Sequence, residues 1–374
     1  MLFLNQKIPS EFPSLIKPFI ENLLKNNRKY VLKKKINYLI NKSEQKLHTN
    51  CLISLPYQAV LDPTNICNLR CPLCPTWQDM QARPKGRIDM NLYKKILDEL
   101  GPYLFTINLC NWGEPFLNPD LPEMIEYAKR YNTVVGLSTN LNHLPDRAAE
   151  NVINSAIDII VISLDGVTQE AYSKYRIGGD VQKVFENIEK LSYYIKREDK
   201  KTMLVWQYLV NRYNETQLKD AEKIASELGI IFQPSPMRSS MGKELLLPLH
   251  ERVQEMKEWL PENPDYRKYQ LDIEQAAKTK QTTCKWLWDT MVINWDGSIS
   301  PCCGVFEKKW DFGNITLDNK SSPRKAWNSL KYILARRLVA AYYKKSKKLP
   351  SLIKLAQREG LICLNCLKYG FLED

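Results

Sequence analysis

Three cysteines stand close together in the stretch Asn65-Ile66-Cys67-Asn68-Leu69-Arg70-Cys71-Pro72-Leu73-Cys74, a C-x3-C-x2-C loop. Thiolates at this spacing can wrap one corner of an iron-sulfur cubane and bind three of its four irons, leaving the fourth iron open to another ligand. A structural zinc site recruits four protein ligands, and a disulfide would leave one cysteine over, so a bare trio fits cluster ligation better than either. A second group comprises Cys284, the segment Trp295-Asp296-Gly297-Ser298-Ile299-Ser300-Pro301-Cys302-Cys303, and Cys363-Leu364-Asn365-Cys366. Twelve residues separate Cys284 from Gly297 and four separate Gly297 from Cys302, and the glycine permits a tight hairpin that returns the second cysteine toward the first. Four thiolates suit a cluster, and they also suit zinc.

Three cysteines remain of the ten. Cys51 reads as a packed small hydrophobe. Cys303 is either the same or an alternative ligand to Cys302, which keeps the four-residue spacing. Cys110 is either packed in the core, as free cysteine commonly is, or faces the reacting site, where its thiol could act as a donor. Only three histidines are present, so thiolates must carry any metal chemistry.

The elements that position these residues follow from periodicity. From Tyr57 to about Pro236, short β-branched runs alternate with amphipathic helical stretches, the pattern of repeated βα units around a parallel sheet. Strands are predicted at 59–61, 105–109, 133–137, 157–164, 203–210 and 230–232. Helices are predicted near 91–100, 119–130, 146–155, 181–197 and 216–228. Six such units predict a partial barrel, α/β in class, whose reacting site lies at the carboxyl ends of the strands. The cysteine loop follows the first strand directly. The expected division is a basic helical extension over 1–55, the barrel over 56–238, a polar helical bridge over 239–283 and a small cysteine-bearing domain over 284–374. In the extension, Phe12, Ile16, Phe19 and Leu23 recur at helical spacing, and Pro13 and Pro18 are expected to interrupt or kink the run. This stripe is expected to pack on the barrel rather than to lie on a membrane.

At the first loop the chain resembles the radical S-adenosylmethionine (SAM) superfamily, whose signature is this loop with a hydrophobic residue, here Leu73, before the third cysteine. The resemblance implies a TIM-type partial (β/α)6 barrel and a 4Fe-4S cluster held by Cys67, Cys71 and Cys74. It implies that SAM chelates the open iron and is cleaved on reduction to methionine and a 5'-deoxyadenosyl radical. Gly113-Glu114-Pro115, after the second strand, looks like the family's GEP motif, which meets the SAM ammonium. Ser138 and Asn140, after the third strand, resemble the ribose-contacting position, and Ser163 with Arg176 resembles the pair that meets the SAM carboxylate. Arginine suits that task because its planar fork pairs a carboxylate bidentately. The C-terminal cysteines resemble the SPASM extension in its shortened twitch form, which implies one auxiliary 4Fe-4S cluster on Cys284, Cys302, Cys363 and Cys366.

The net charge of +12 is concentrated in the first fifty residues and in the stretch from Arg324 to Arg358, which holds eleven Lys or Arg and no acid. Such asymmetry fits either an anionic partner or a solvated helix face. No apolar run is long enough to span a bilayer and the amino terminus turns polar at Asn5, which predicts a cytoplasmic protein. The expected activity is an oxidoreductase or epimerase acting on a carbohydrate- or cyclitol-like small molecule, phosphorylated or nucleotide-activated, with flavodoxin or ferredoxin as electron donor. Peptide maturation is the alternative, disfavoured because the amino-terminal segment looks too short for a leader-gripping winged helix. A non-enzymatic metal- or RNA-binding protein is the remaining reading. The open-iron loop speaks against it, and membrane or nucleic-acid partners are likewise disfavoured.

Overall fold

A computed structural model describes residues 12–25, 29–78, 82–237, 251, 254, 256–266, 284–318 and 320–369. Six strands form the barrel: β1 Gln58–Leu61, β2 Thr106–Asn108, β3 Val134–Thr139, β4 Ile159–Ser163, β5 Met203–Val210 and β6 Ile231–Pro236. Each pairs in parallel with the next in sequence. The helices of the units are α4 Met90–Leu100, α5 Leu121–Lys129, α6 Asp146–Asn154, α8 Val181–Arg197 and α9 Leu218–Leu228, with two short ones, α3 Pro75–Gln78 and α7 Gln169–Tyr175, inside loops. Asp89, Thr168 and Asp180 cap α4, α7 and α8 by accepting backbone N–H bonds, which fixes where each helix begins. All six strands and all five long helices lie where periodicity placed them. The expected bridge over 239–283 falls largely outside the described residues.

Side chains alternate across each strand. Ala59, Leu61, Ile107, Val135, Leu137, Ile160, Ile162 and Trp206 point outward into the core shared with the helices. The opposite face lines the barrel. Its lower end is sealed by a second cluster in which Ile16, Ile20 and Leu23 of α1 (Phe12–Lys25) pack on Tyr57, Phe105, Val134, Ile159, Val161 and Val205. The expected stripe therefore plugs the barrel. The expected interruption does not occur: α1 runs through Pro18. Pro18 is exposed and costs one backbone hydrogen bond on the solvent side, while Ile16 and Ile20 on either side anchor the helix. Pro13 stands in the first turn, where N–H groups lack partners anyway.

The next helix, α2 Val31–Leu47, buries a polar face. Lys34 donates to the carbonyls of Gly101 and Leu104, Asn37 brackets the backbone of Leu55, and Glu44 accepts from Ile53 N–H at 2.6 Å.

The cysteine-bearing C-terminal part continues the barrel's own sheet. Strand β7 (Thr290–Ile293) pairs in parallel with β1, and β8 (Ser298–Ser300) and β9 (Gly313–Asn314) follow antiparallel, giving the order β6-β5-β4-β3-β2-β1-β7-β8-β9. Arg83, fully buried, fastens the two parts: it donates to Phe306 O at 2.9 Å and Ser298 Oγ at 2.6 Å and pairs with Asp311 at 2.7 Å. Helices Pro323–Trp327, Leu330–Tyr343, Leu349–Arg358 and Cys363–Tyr369 complete the chain.

Candidate active site

The cysteine loop leaves β1 at the carboxyl end of the sheet. Cys71 is buried and Cys67 and Cys74 are half-buried. The loop is walled by Leu69, Leu73, Tyr175, Met237, Met256 and Leu260. Burial raises the Cys67 thiol to about 12, offset by the Leu69 N–H it accepts and augmented by Glu114, Cys71 and Cys74 nearby. Burial raises Cys71 to about 11, with the Arg176 guanidinium pulling the other way. Three thiolates gathered here need compensating positive charge, which an iron cluster supplies. Among the described residues no three such side chains close to the spacing of a single bound ion; in a cubane each thiolate takes a different iron.

The expected SAM-contacting segments converge on this loop. Gly113 has φ +79°, and a Cβ there would lie 2.4 Å from Thr64 O, so only glycine lets the loop after β2 press against the cysteine loop. The Glu114 N–H then donates to Ile66 O at 2.8 Å, and Pro115 opens a 3-10 turn. The Glu114 carboxylate turns toward β3, accepting from Thr139 Oγ1 and Asn140 N, both at 2.7 Å, and burial lifts it to about 7. Asn140 donates through Nδ2 to Asn68 Oδ1 at 2.9 Å and reaches Cys67 Sγ at 3.7 Å. Ser138 and Ser163 are half-buried on the inward face of β3 and β4. Arg176, at the end of α7, pairs with Asp165 at 2.6 Å and directs Nη1 to Cys71 Sγ at 3.8 Å. Although burial opposes its charge, Asp165 and Cys71 raise its pKa well above the ordinary value.

Two carboxylates escaped the sequence reading. Asp165 is fully buried, anchored by Leu209 N–H at 2.7 Å, and holds Arg176 in place. Its position two residues after Ser163, on the same strand face, was the available signal. Asp62, one residue past β1, accepts from Asn111 N at 2.6 Å and Trp112 N at 2.8 Å through Oδ1, while Oδ2 is buried without a partner. Burial raises it to about 7. Cys110 faces the same mouth: burial, then Asp62, Glu114 and Cys67, raise its thiol well above the ordinary value.

The inward face of β5 and β6 carries Gln207, Gln233 and Ser235, with Gln207 in register with Ser163 and Gln233. Gln233 is 1% and Ser235 4% exposed, and Gln233 Nε2 and Oε1 and Ser235 Oγ have no hydrogen-bond partner.

The second cysteine group also assembles. Gly297 turns the β7–β8 hairpin at φ +79°, where a Cβ would sit 2.3 Å from Ile315 O. Cys363 and Cys366 lie one turn apart on the last helix. Cys302 and Cys363 have thiols raised well above the ordinary value, first by burial and then by each other's neighbours, with Cys284 and Cys366 acting on both. Cys302 is among the charges acting on Cys363 and on Tyr332, and Cys303 acts on Cys302 itself. The buried Tyr332 hydroxyl has no partner and stands among Cys363, Cys302 and Cys284. An orphaned donor amid three thiols fits a sulfur-rich group seated between them. Cys51 is exposed, not packed as expected, because it lies in a surface turn after α2.

The Radical SAM superfamily model matches residues 61–211, and the model of the SPASM iron-sulfur cluster-binding domain matches residues 284–366. The tungsten-containing aldehyde ferredoxin oxidoreductase cofactor-modifying protein of Pyrococcus furiosus is 26% identical over 314 residues, covering 75% of this chain and 83% of that protein. The mycofactocin maturase MftC of Mycobacterium ulcerans is 30% identical over 190 residues, 50% of this chain and 49% of its own length, so the chain spans about half of that relative. SuiB of Streptococcus suis shares the fold, with a TM-score of 0.56 at 15% identity over 87% of this chain and 78% of that one. With both family models seated on the two cysteine groups, the chain belongs to the radical SAM superfamily, in the branch carrying a SPASM domain, and its cofactors are SAM, a 4Fe-4S cluster and auxiliary iron-sulfur.

Proposed function

We propose that this radical SAM enzyme modifies a peptide or peptide-like substrate, rather than the carbohydrate-like molecule expected from the sequence. The observation that carries the reading is the pair of buried, unpartnered side chains Gln233 and Ser235 on the inward face of β6. A glutamine amide offers a donor and an acceptor together, which is what a peptide unit presents in return. Leaving such groups buried and unpaired costs about 1–3 kcal/mol each, which a substrate amide would offset. SuiB, whose fold the chain shares, has been solved bound to the precursor peptide SuiA, which accords with a peptide substrate.

In this reading Cys67, Cys71 and Cys74 hold the cluster that binds SAM, and Cys284, Cys302, Cys363 and Cys366 hold one auxiliary cluster. When bound, SAM and its cluster supply the carbon-centred radical that removes a hydrogen atom from the substrate. Gly113, Glu114 and Pro115 shape the wall against the cysteine loop and Leu73 shields it; Ser138 and Asn140 would hold the ribose of SAM, and Ser163 and Arg176 its carboxylate. Burial keeps the Cys110 thiol protonated, the form able to give a hydrogen atom, and Asp62 beside it is the carboxylate able to take a proton. A ferredoxin or flavodoxin provides electrons.

The test begins with anaerobic reconstitution, iron counting and a 5'-deoxyadenosine assay under dithionite. Cys67→Ala should abolish 5'-deoxyadenosine formation, while Cys284→Ala should lose auxiliary iron and still form 5'-deoxyadenosine. Short peptides encoded beside the gene are then offered as substrates against sugar nucleotides. A mass change on a peptide supports the reading, and turnover of a sugar nucleotide alone would sink it. Turnover in heavy water separates epimerisation, which leaves deuterium at the target carbon, from oxidation. A Cys110→Ala enzyme with an unchanged product removes Cys110 from the mechanism.

A further inference from the structure

Helix α2 is turned inside out. Its buried side is polar, and its outward side carries Leu32, Ile36, Leu39, Ile40 and Leu47, exposed by 70, 49, 64, 37 and 69%. Spaced at three, four and seven residues, they form one stripe along a helix of 17 residues, about 25 Å long. Ile53, 79% exposed, follows the helix. Half of the large hydrophobic residues exposed among the described residues lie within this one stretch. Buried hydrogen bonds donated by Lys34, Asn37 and Asn41 and accepted by Glu44 hold the helix in this orientation. Exposure of the stripe is therefore built into the fold.

The two basic segments that lie far apart in sequence meet along this helix. Exposed Lys33, Lys35 and Lys46 flank the stripe. At its first end, Lys33 and Arg324 share the ring of Tyr103, at 4.5 and 5.8 Å. At its last end, Lys344 donates to Leu47 O at 3.4 Å, and Tyr343 stacks on His48. This brings exposed Lys344, Lys345, Lys347 and Lys348 beside the stripe. Glu44 is the only acid between Lys29 and Asn50, and it is buried; the segment from Arg324 to Arg358 has none.

We propose that this face docks on an anionic membrane surface, with the apolar stripe entering the headgroup boundary and the lysines on both flanks reaching lipid phosphates. An apolar stripe bordered by lysines is the pattern of helices that lie in the interface, and lysine stems let the charge reach the headgroups while the helix sinks. Each lysine near an anionic leaflet adds to binding. A second copy would set lysine against lysine. This reverses the expectation that a membrane partner is disfavoured, on the stripe of α2 and not that of α1, which packs on the barrel as expected, and it stands apart from the choice of substrate.

The reconstituted protein is to be co-sedimented with vesicles of phosphatidylcholine alone and of phosphatidylcholine mixed equally with phosphatidylglycerol. Binding to the mixed vesicles only, weakened by salt, is expected. Ile36→Asn with Leu39→Asn should lower partitioning by about tenfold or more, because two apolar side chains leave the interface. Lys344→Gln with Lys345→Gln should do the same through charge. Both variants should form 5'-deoxyadenosine at the parent rate, which separates lost docking from lost folding. Failure to bind mixed vesicles would overturn the proposal, as would undiminished binding by the asparagine variant. So would a concentration-dependent dimer, or capture of an acidic ferredoxin, that the asparagine variant abolishes while vesicle binding is absent.

Discussion

The Arg176–Asp165 pair shows how a single residue acquires a task through its neighbour. A guanidinium this deep needs a fixed counter-charge, and Asp165, itself clamped by Leu209 N–H, supplies it at 2.6 Å. Asp165→Asn keeps the shape and removes the charge. The dissociation constant for SAM, measured by isothermal titration on the reconstituted protein, should rise about tenfold while iron content holds. Asp62 makes a different statement. Its folded pKa, raised by burial to about 7, lies above the ordinary carboxyl value, so folding takes up a proton in between. The stability this group contributes is full below the ordinary value and is lost as pH rises through about 7. Denaturant midpoints taken across that window should fall with rising pH, and the fall should be shallower in Asp62→Asn. An equal slope in both proteins would assign the dependence to the other carboxyls that burial raises in the same direction, Glu114 and Asp289 foremost.

At the scale of elements, two tight approaches set the positions of the cysteines. The β7–β8 hairpin closes at Gly297 with positive φ against Ile315 O. Gly297→Ala places a methyl where the backbone carbonyl already stands and should cost about 2 kcal/mol or more. A lower Tm together with loss of auxiliary iron is expected, since the hairpin carries Cys302 toward Cys284; iron content unchanged at a lowered Tm would detach the hairpin from cluster binding. Gly113 does the same for the loop after β2, pressing it on the backbone that leads into Cys67.

For the whole molecule, the shared sheet and the buried Arg83 network join the barrel to the cysteine-bearing C-terminal part. The apolar core runs through both, from Leu61 and Ile107 to Met291, Trp327 and Cys363. The reconstituted protein should therefore melt once: far-UV circular dichroism and the cluster absorbance should share a midpoint. Two separated transitions would mark independent units. Much of this architecture was legible in the chain. Alternation of β-branched runs with amphipathic helices placed the barrel strands and helices, because both periods are local properties of the backbone. The C-x3-C-x2-C loop declared its chemistry through spacing along a few residues. Other features depend on residues distant in sequence. The partnership of Asp165 with Arg176, the unpaired Oδ2 of Asp62 and the empty-handed Gln233 arise only when strands are laid in register. The same holds for α2, whose apolar positions promise a core-facing stripe by periodicity. Tertiary structure turned them outward, because the carbonyls of Gly101, Leu104, Leu55 and Trp288 needed the polar face more. Local pattern fixes what an element is; which face is buried depends on the surface it meets.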